Sequence, residues 1–373
     1  MGLSFMEGNE AIAWGAVEAG CRYFAGYPIT PATTVFNTML QVLPPLGGIV
    51  IQGEDEIASI GSCLGASMAG LKVMTATAGP GLSLYSEHIS FAVGSEIPIV
   101  IVVVQRLGPS TGSATRGADG DIQFMRWGSS GGLPVIALAP VDVEDCFSLT
   151  MHAFNLAETY RCPVFVASNK EIGMTRESVD LDAISRPVLV DRAGPVPGRP
   201  FLPFEVPEDG TVPHFLPIGD RILVRQTSST HGIDGYITTD YHEIGRNQER
   251  LKTKLESAVH QFSFHDAFMA EEADTLLVAY GVTARAAKAV HKAFESEGMP
   301  LSLLVLKTLW PVPEALIREK ADKVKRVVVV EMNTGQYVWE IKRVLPDKKV
   351  DFFGQMDGRL ISPSQIREVI RHG

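Results

Sequence analysis

Over the first 190 residues the hydrophobic positions switch repeatedly between the three-and-four spacing of a helix and the unbroken apolar runs of a buried strand. GNEAIAWGAVEAG (8–20) predicts a helix, with Asn9 as its cap and Gly20 as its stop. CRYFAGYP predicts a short strand ending in a turn. Residues 56–70 predict the next helix and LKVMTATAG (71–79) a strand. A Gly-Pro-Gly turn then leads into LSLYSEHISFAVGSE, which reads as one helix. IPIVIVVVQ (97–105) is rich enough in Val and Ile to be a central strand buried on both faces. VEDCFSLTMHAFNLAETY has a helical period, and PVFVASN (163–169) is a further strand. Alternation of this kind predicts α/β layers around a parallel sheet.

The rhythm breaks over residues 186–250, where proline is dense and no helical period survives. Phe, Leu and Val still recur there, which favours an ordered, extended strap over disorder. A second α/β pattern follows: ADTLLVAYG, VTARAAKAVHKAFESEG, PLSLLVLKTLWPVP, ALIREKADKV, RVVVVEMN and GQYVWEIKRVL. It predicts a small doubly wound domain. The expected division is residues 1–190, a Pro-rich linker over 191–252, and 253–373.

Composition narrows the function. Hydrophobic residues make up 45% of the 373 and charged residues 20%, enough for sizeable cores. The net charge of −10, with no basic stripe, argues against nucleic acid as a partner. Cys21, Cys63, Cys146 and Cys162 share no CxxC spacing, which argues against zinc or an iron–sulfur cluster held by this chain alone. They fit free thiols in a reducing compartment. The longest apolar run, residues 97–104, is too short to span a bilayer, and MGLSFMEGNE has no secretory pattern. The expectation is a cytoplasmic protein without a membrane anchor.

Three stretches could carry chemistry. In GEDEIASIGSCLGASMAG (53–70) the acids Glu54, Asp55 and Glu56 precede an uncharged run. Ile57, Ile60, Leu64 and Met68 form one helical face, and Ala58, Gly61, Gly65 and Ala69 another that lets a neighbour approach closely. Acids at a helix start are capping groups in the plain reading. In the sharper one Glu56, the acid nearest the buried faces, is held dry for proton exchange with a ligand nitrogen. GYPITPATTV (26–35) follows a strand, and Thr30 with Pro31 predicts a helix cap that also faces the strand ends where α/β sheets bind ligands. ATAGPGLSLYSE (76–87) is a glycine turn opening a helix, without P-loop or GxGxxG spacing. In QRLGPSTGSATRGADGDIQFMRWG (105–128), Arg106 stands at the end of the most buried strand. It is either a clamp for a carboxylate or half of an ion pair with Asp119 or Asp121.

Taken in order, GNEAIAWGAVEAG, GYPITPATT, EDEIAS, TAGPGLSL and QRLGPSTG resemble the alpha subunit of 2-oxoacid:ferredoxin oxidoreductases. GPSTG with TAGPG is most similar to the 2-oxoglutarate type, and LWPVP and VVVVEMNTGQ extend the resemblance past the strap. The resemblance implies a pyrimidine-type thiamine diphosphate-binding domain over 1–190 and a transketolase C-terminal-like domain over 253–373. It implies oxidative decarboxylation of 2-oxoglutarate to succinyl-CoA and CO2, with coenzyme A and ferredoxin as co-substrates. Pyruvate or branched-chain 2-oxoacids are the alternative substrates, and a non-catalytic nucleotide- or anion-binding module the alternative class. The diphosphate and its Mg2+ would belong to a beta subunit, [4Fe-4S] clusters to partner subunits, and gamma and ferredoxin-like delta subunits could complete the assembly. Carried over residue by residue, Glu56 matches the glutamate that hydrogen-bonds N1′ of the aminopyrimidine and promotes its imino tautomer. Tyr27, Pro28 and Gly79 join it as cofactor contacts. Thr30 matches the threonine that touches the substrate's carboxylate or keto oxygen, and Arg106 the arginine that clamps its 1-carboxylate. Arg116 and Arg126 are candidates for a distal carboxylate, or solvated surface residues. The resemblance assigns this chain no metal ligand.

Overall fold

The computed structural model describes residues 2–208 and 211–372. The chain runs through β1 (Leu3–Glu7), α1 (Gly8–Glu18), β2 (Tyr23–Gly26), α2 (Thr33–Val42), β3 (Ile49–Gln52), α3 (Glu56–Met68), β4 (Val73–Thr77), α4 (Gly79–Leu84), α5 (Ser86–Gly94), β5 (Ile99–Gln105), α6 (Ile122–Trp127), β6 (Ile136–Leu138), α7 (Val143–Tyr160), β7 (Pro163–Asn169), α8 (Lys170–Gly173) and β8 (Arg176–Asp180). Beyond a long irregular segment come α9 (Tyr241–Glu256), β9 (His265–Phe268), β10 (Thr275–Tyr280), α10 (Thr283–Ser296), β11 (Ser302–Leu306), β12 (Thr308–Trp310), α11 (Glu314–Ala321), β13 (Arg326–Glu331), α12 (Val338–Val344), β14 (Lys349–Gly354) and α13 (Pro363–His372).

A seven-stranded sheet in the order β12-β6-β7-β5-β4-β2-β3 forms the first core. Its strands are parallel except β12, which pairs antiparallel with β6. β5 lies in the middle because all seven of its residues are buried, and burying each Val or Ile contributes roughly 1.5–3 kcal/mol. A five-stranded sheet, β14-β13-β10-β11-β9, forms the second core. β12 thus leaves the second half of the chain to close an edge of the first sheet, so the two halves share a core instead of merely touching. No helix among the described residues is long and apolar enough to cross a membrane.

Four local expectations change. α1 is capped by Glu7 in a box with Glu10, while Asn9 is buried inside the first turn. α2 starts at Thr33, because Arg106 and Asn9 occupy the carbonyls of Thr30 and Pro31 that an earlier helix start would use. The segment read as one helix after the glycine turn divides into α4 and α5 at Tyr85, which is fully buried with its hydroxyl on Thr75. Residues 241–256, of which 241–252 are placed in the linker by their lack of an apolar stripe, form a helix. Asp240 caps it by accepting from the backbone of His242 and Glu243. Only Leu251, Lys254 and Leu255 of that helix are buried, and charge pairing replaces the apolar face the sequence lacks.

Candidate active site

The carboxyl ends of the parallel strands β2, β3, β4, β5 and β7 all open on one side of the first sheet, and the candidate residues lie in the segments that follow them. α3 begins there. Asp55 caps it, its Oδ1 accepting from Ala58 N at 2.7 Å, while Ser59 Oγ donates back to the Asp55 carbonyl at 2.7 Å. The capping work therefore falls on Asp55, and Glu56, the first helical residue, turns inward. It is 7% exposed and has neither a hydrogen bond nor an ion pair to any described residue. Its neighbour is α4. A Cβ placed on Gly81 would come within 2.0 Å of Thr77 Oγ1 and 2.6 Å of Glu56 Cγ, so only glycine lets this helix lie against the acid. Tyr85 lies deeper; burial, and to a smaller degree the nearby Glu56, push its hydroxyl well above the usual range.

Gly79, two residues earlier on α4, approaches Asp121: a Cβ there would be 3.1 Å from both Asp121 carboxylate oxygens. Arg106 leaves the end of β5 and is buried; its Nη1 donates to the Thr30 carbonyl. Arg106 Nε and Asp121 Oδ2 are each buried without a hydrogen-bond partner. The expected ion pair with Asp119 or Asp121 is not closed, although burial and then the charge of Asp121 act on Arg106 in opposite senses. Burial raises Asp121 to about 6, with Arg106 pulling it back. Asp119, more deeply buried, accepts from Asn169 Nδ2 at 2.8 Å through Oδ1, and its Oδ2 has no partner. Burial raises it to about 7; the Asn169 hydrogen bond opposes this, and Glu331 and Asp121 add to it.

The loop bearing these aspartates is held from the second sheet. Asp119 N donates to the Met332 carbonyl at 2.9 Å, and Asn333 Nδ2 donates to the Asp119 carbonyl at 2.8 Å. Gln336 donates to the Gly120 carbonyl and Trp310 Nε1 to the Ile122 carbonyl. Glu331, at the end of β13, is completed by Tyr280 Oη at 2.7 Å, Asn333 Nδ2, and the backbone of Tyr337 and Val338.

The structure thus gathers Glu56, Gly79, Thr30 and Arg106 at one end of the sheet. Thr30, Tyr27 and Pro28 are exposed on the segment after β2; Ile49 and Ile51 on the adjacent edge strand β3 and Ile57 on α3 are exposed too. Arg126 points elsewhere: its guanidinium donates to the carbonyls of Gly132 and Leu133 and stacks on Trp127. Arg116 is exposed, its side chain against Gly358. Sequence reasoning missed Asn9, whose Nδ2 donates to the Pro31 carbonyl at 2.9 Å and Thr34 Oγ1 at 2.7 Å and so anchors the Thr30 segment. It also missed Thr77 and the clasp of Asn333 and Gln336. A polar residue on the inner face of the alanine-rich first helix was the available signal for Asn9.

An acid without a partner, a helix pressed onto it by a glycine, and a buried arginine with a free donor leave polar groups open to a ligand. The profile of pyruvate flavodoxin/ferredoxin oxidoreductase, thiamine diP-bdg, matches residues 14–250, and that of the pyruvate:ferredoxin oxidoreductase core domain II matches 273–366. The 2-oxoglutarate synthase subunit KorA of Methanothermobacter thermautotrophicus is 40% identical, covering 98% of this chain and 97% of its own. The ketoisovalerate oxidoreductase subunit VorB of Methanothermobacter marburgensis is 33% identical, over 100% of this chain and 97% of its own. Among solved structures, a 2-oxoglutarate:ferredoxin oxidoreductase from Magnetococcus marinus, with 2-oxoglutarate, coenzyme A and succinyl-CoA bound, superposes with a TM-score of 0.92 at 31% identity. That match covers 99% of this chain but 65% of the other. A split-gene transketolase, an inactive beta4 tetramer, matches with a TM-score of 0.55 at 14% identity over 93% of this chain and 87% of its own, a likeness of fold alone.

Proposed function

The chain belongs to the pyruvate flavodoxin/ferredoxin oxidoreductase family, and on that premise we propose that it is the subunit of a 2-oxoacid:ferredoxin oxidoreductase that grips the pyrimidine end of thiamine diphosphate and acts on 2-oxoglutarate. The observation that carries this reading is Glu56, buried, unpartnered and pressed by α4 through Gly81. Its carboxylate, without a protein partner among the described residues, is available to hydrogen-bond a ring nitrogen. Bound thiamine diphosphate supplies the carbon nucleophile that attacks the keto group. Everything else falls to side chains: Glu56 holds or yields the proton at N1′, the unsubstituted Gly79 and Gly81 admit the ring, and Tyr27 and Pro28 flank its approach. Arg106, steadied on the Thr30 carbonyl, offers its free Nε to the substrate's 1-carboxylate. Such a clamp orients the leaving group and excludes other binding modes.

In this reading residues 1–190 hold the cofactor, 191–252 strap the halves together, and 253–373 buttress the aspartate loop. A beta subunit with the diphosphate and Mg2+ docks over the exposed apolar edge strand β3, which carries the exposed Ile49 and Ile51. The [4Fe-4S] clusters sit on partner subunits, and coenzyme A and ferredoxin are co-substrates of the assembled cytoplasmic enzyme. The higher identity to the KorA relatives than to VorB supports 2-oxoglutarate over branched-chain substrates.

The test is the complex reconstituted with its partner subunits, assayed on 2-oxoglutarate, pyruvate and 2-oxoisovalerate with coenzyme A and a viologen dye. Glu56→Gln should cut turnover by about 100-fold or more, the usual range for a positioned proton partner. Turnover within a few-fold of the parent removes Glu56 from the chemistry, and a preference for 2-oxoisovalerate moves the substrate to the branched-chain class.

A further inference from the structure

Arg106 is buried and Asp121 half-buried; their opposite charges act on each other, yet they form no ion pair. Arg106 is held by the Thr30 carbonyl, and Asp121 by its own backbone N–H on Gln105 Oε1 at 2.9 Å. Gln105 is itself tied to the Ser168 carbonyl, which fixes the backbone that carries Asp121. Each keeps one buried polar atom without a partner, Nε on the arginine and Oδ2 on the aspartate. A fixed pair with vacant valences on both sides holds its charge balance only until another anion arrives.

We propose that Asp121 is the exchangeable counter-charge of Arg106: seating the 2-oxoacid's carboxylate on the arginine drives a proton from solvent onto Asp121, and departure of that carboxylate as CO2 returns the proton. This rests on the reading of Arg106 as the carboxylate clamp. Two carboxylates cannot both stay ionised beside one desolvated guanidinium, so the less committed one takes the proton. The surroundings of Asp121 leave this role open to it. The charges acting on it are Arg106 and, two residues back, Asp119. α4 presents glycine backbone, β5 the neutral Gln105, and the second sheet the neutral Gln336 at Gly120, with Glu331 acting on Asp119. Asp121 already stands at about 6 before any ligand arrives, so little further bias is needed to protonate it at neutral pH. Asp121 is thus a positioning residue, working through Arg106. By competing for the arginine it keeps the substrate's carboxylate from being held too well, which favours its loss.

The experiment is calorimetric titration of 2-oxoglutarate into the reconstituted complex depleted of thiamine diphosphate, in two buffers of different ionisation heat, from pH 6 to pH 8.5. Uptake of close to one proton is expected at the upper end, with Kd rising toward about tenfold per pH unit. Asp121→Asn should abolish both the uptake and the slope, and bind roughly 100-fold tighter at pH 8. In the complete enzyme the same variant should lower KM and kcat together, the signature of lost ground-state competition. A merely structural aspartate would instead raise KM and lower the unfolding temperature. Asp121→Ser, which removes the charge with a different shape, must lose the slope as well, so a folding defect in one variant cannot decide the matter. If either variant keeps the parent's proton uptake, or binds more weakly with its melting temperature intact, the counter-charge role is overturned. Arg106→Ala separates the two levels. Should it leave Kd unchanged, the clamp itself falls; should it weaken binding while Asp121→Asn keeps the slope, only the present proposal falls.

Discussion

Two of the buried acid clusters among the described residues are treated in opposite ways. Glu96, at the end of α5, is fully buried. Its carboxylate receives Lys254 Nζ at 2.8 Å and two guanidinium nitrogens of Arg250 at 2.9 and 2.7 Å, while Arg161 Nε donates to its carbonyl. Burial works against its charge, but Lys254, Arg250 and Arg161 outweigh it and bring the carboxyl down to about 2. At the strand ends, Asp119 and Asp121 are desolvated too, yet each keeps an oxygen without a donor, and their values move up to about 7 and about 6. The first cluster is complete within the chain and fastens α9 and the strap to the first domain. The second is incomplete, and so is Glu56. Completion by a ligand is what distinguishes a site from a staple, and desolvation alone does not tell them apart.

Breaking the staple should give the largest stability effect. Glu96→Ala leaves Lys254 and Arg250 facing a cavity without their anion, a change that costs about 3–5 kcal/mol for a buried pair. Urea unfolding should show this, together with easier proteolysis of the strap. A loss below about 1 kcal/mol would mean that the cations find water, and that the strap is held by Arg192 and Glu158 instead.

The opposed shifts also predict opposed pH dependences. The folded state binds Glu96's proton less readily than the unfolded chain, so its contribution is present above the ordinary 4.5 and is lost as pH falls toward about 2. Asp119 is the reverse. Between its ordinary 3.8 and about 7 the folded state keeps a proton the unfolded chain has released. Stability therefore declines as pH rises through that window, on the order of 1 kcal/mol per unit for one proton. Asp119→Asn should flatten this decline and raise the unfolding temperature more at pH 7.5 than at pH 4.5. An equal change at both pH values would show that Asp119 stays ionised in the folded chain.

Much of this contrast was legible before the coordinates, and the remainder has physical reasons for having been hidden. β5 announces itself by Val and Ile, and the acids before α3 by their sudden contrast with an uncharged run. What periodicity cannot convey is which of three adjacent acids turns inward. That depended on Asp55 taking the cap and on Gly81 opening space, a contact between segments 25 residues apart. α9 was invisible for the complementary reason: its buried face holds only Leu251 and Leu255 beside Lys254, with Lys254 and the half-buried Arg250 paired to Glu96, and charged residues read as solvent-facing. β12 was seen as a continuation of the preceding strand, since nothing local marks its transfer to the first sheet. Asn9, read as a cap, is a strut, because the cap position had already gone to Glu7.

Asn9 sharpens the comparison at its smallest scale, since it is complete on one side and open on the other. Its Nδ2 is spent on the Pro31 carbonyl and Thr34 Oγ1, while its Oδ1 is buried with no donor. A strut of this kind should contribute through the groups it serves, about 1–2 kcal/mol for hydrogen bonds to otherwise buried acceptors. Asn9→Ala frees the segment that presents Thr30, and the Thr30 carbonyl is the one fixed partner of Arg106 Nη1. The consequence should therefore divide unevenly: a modest drop in unfolding free energy, and a several-fold rise in KM for every 2-oxoacid with kcat little changed, because orientation in the ground state is what the segment supplies. Asn9→Asp keeps the shape, replaces the donor by an acceptor and buries a charge against Val104 and Gly173, so it should be the more damaging of the two. If Asn9→Ala lowers stability and leaves KM untouched, Asn9 belongs with the staple, and the Thr30 segment is held in place by Arg106 alone.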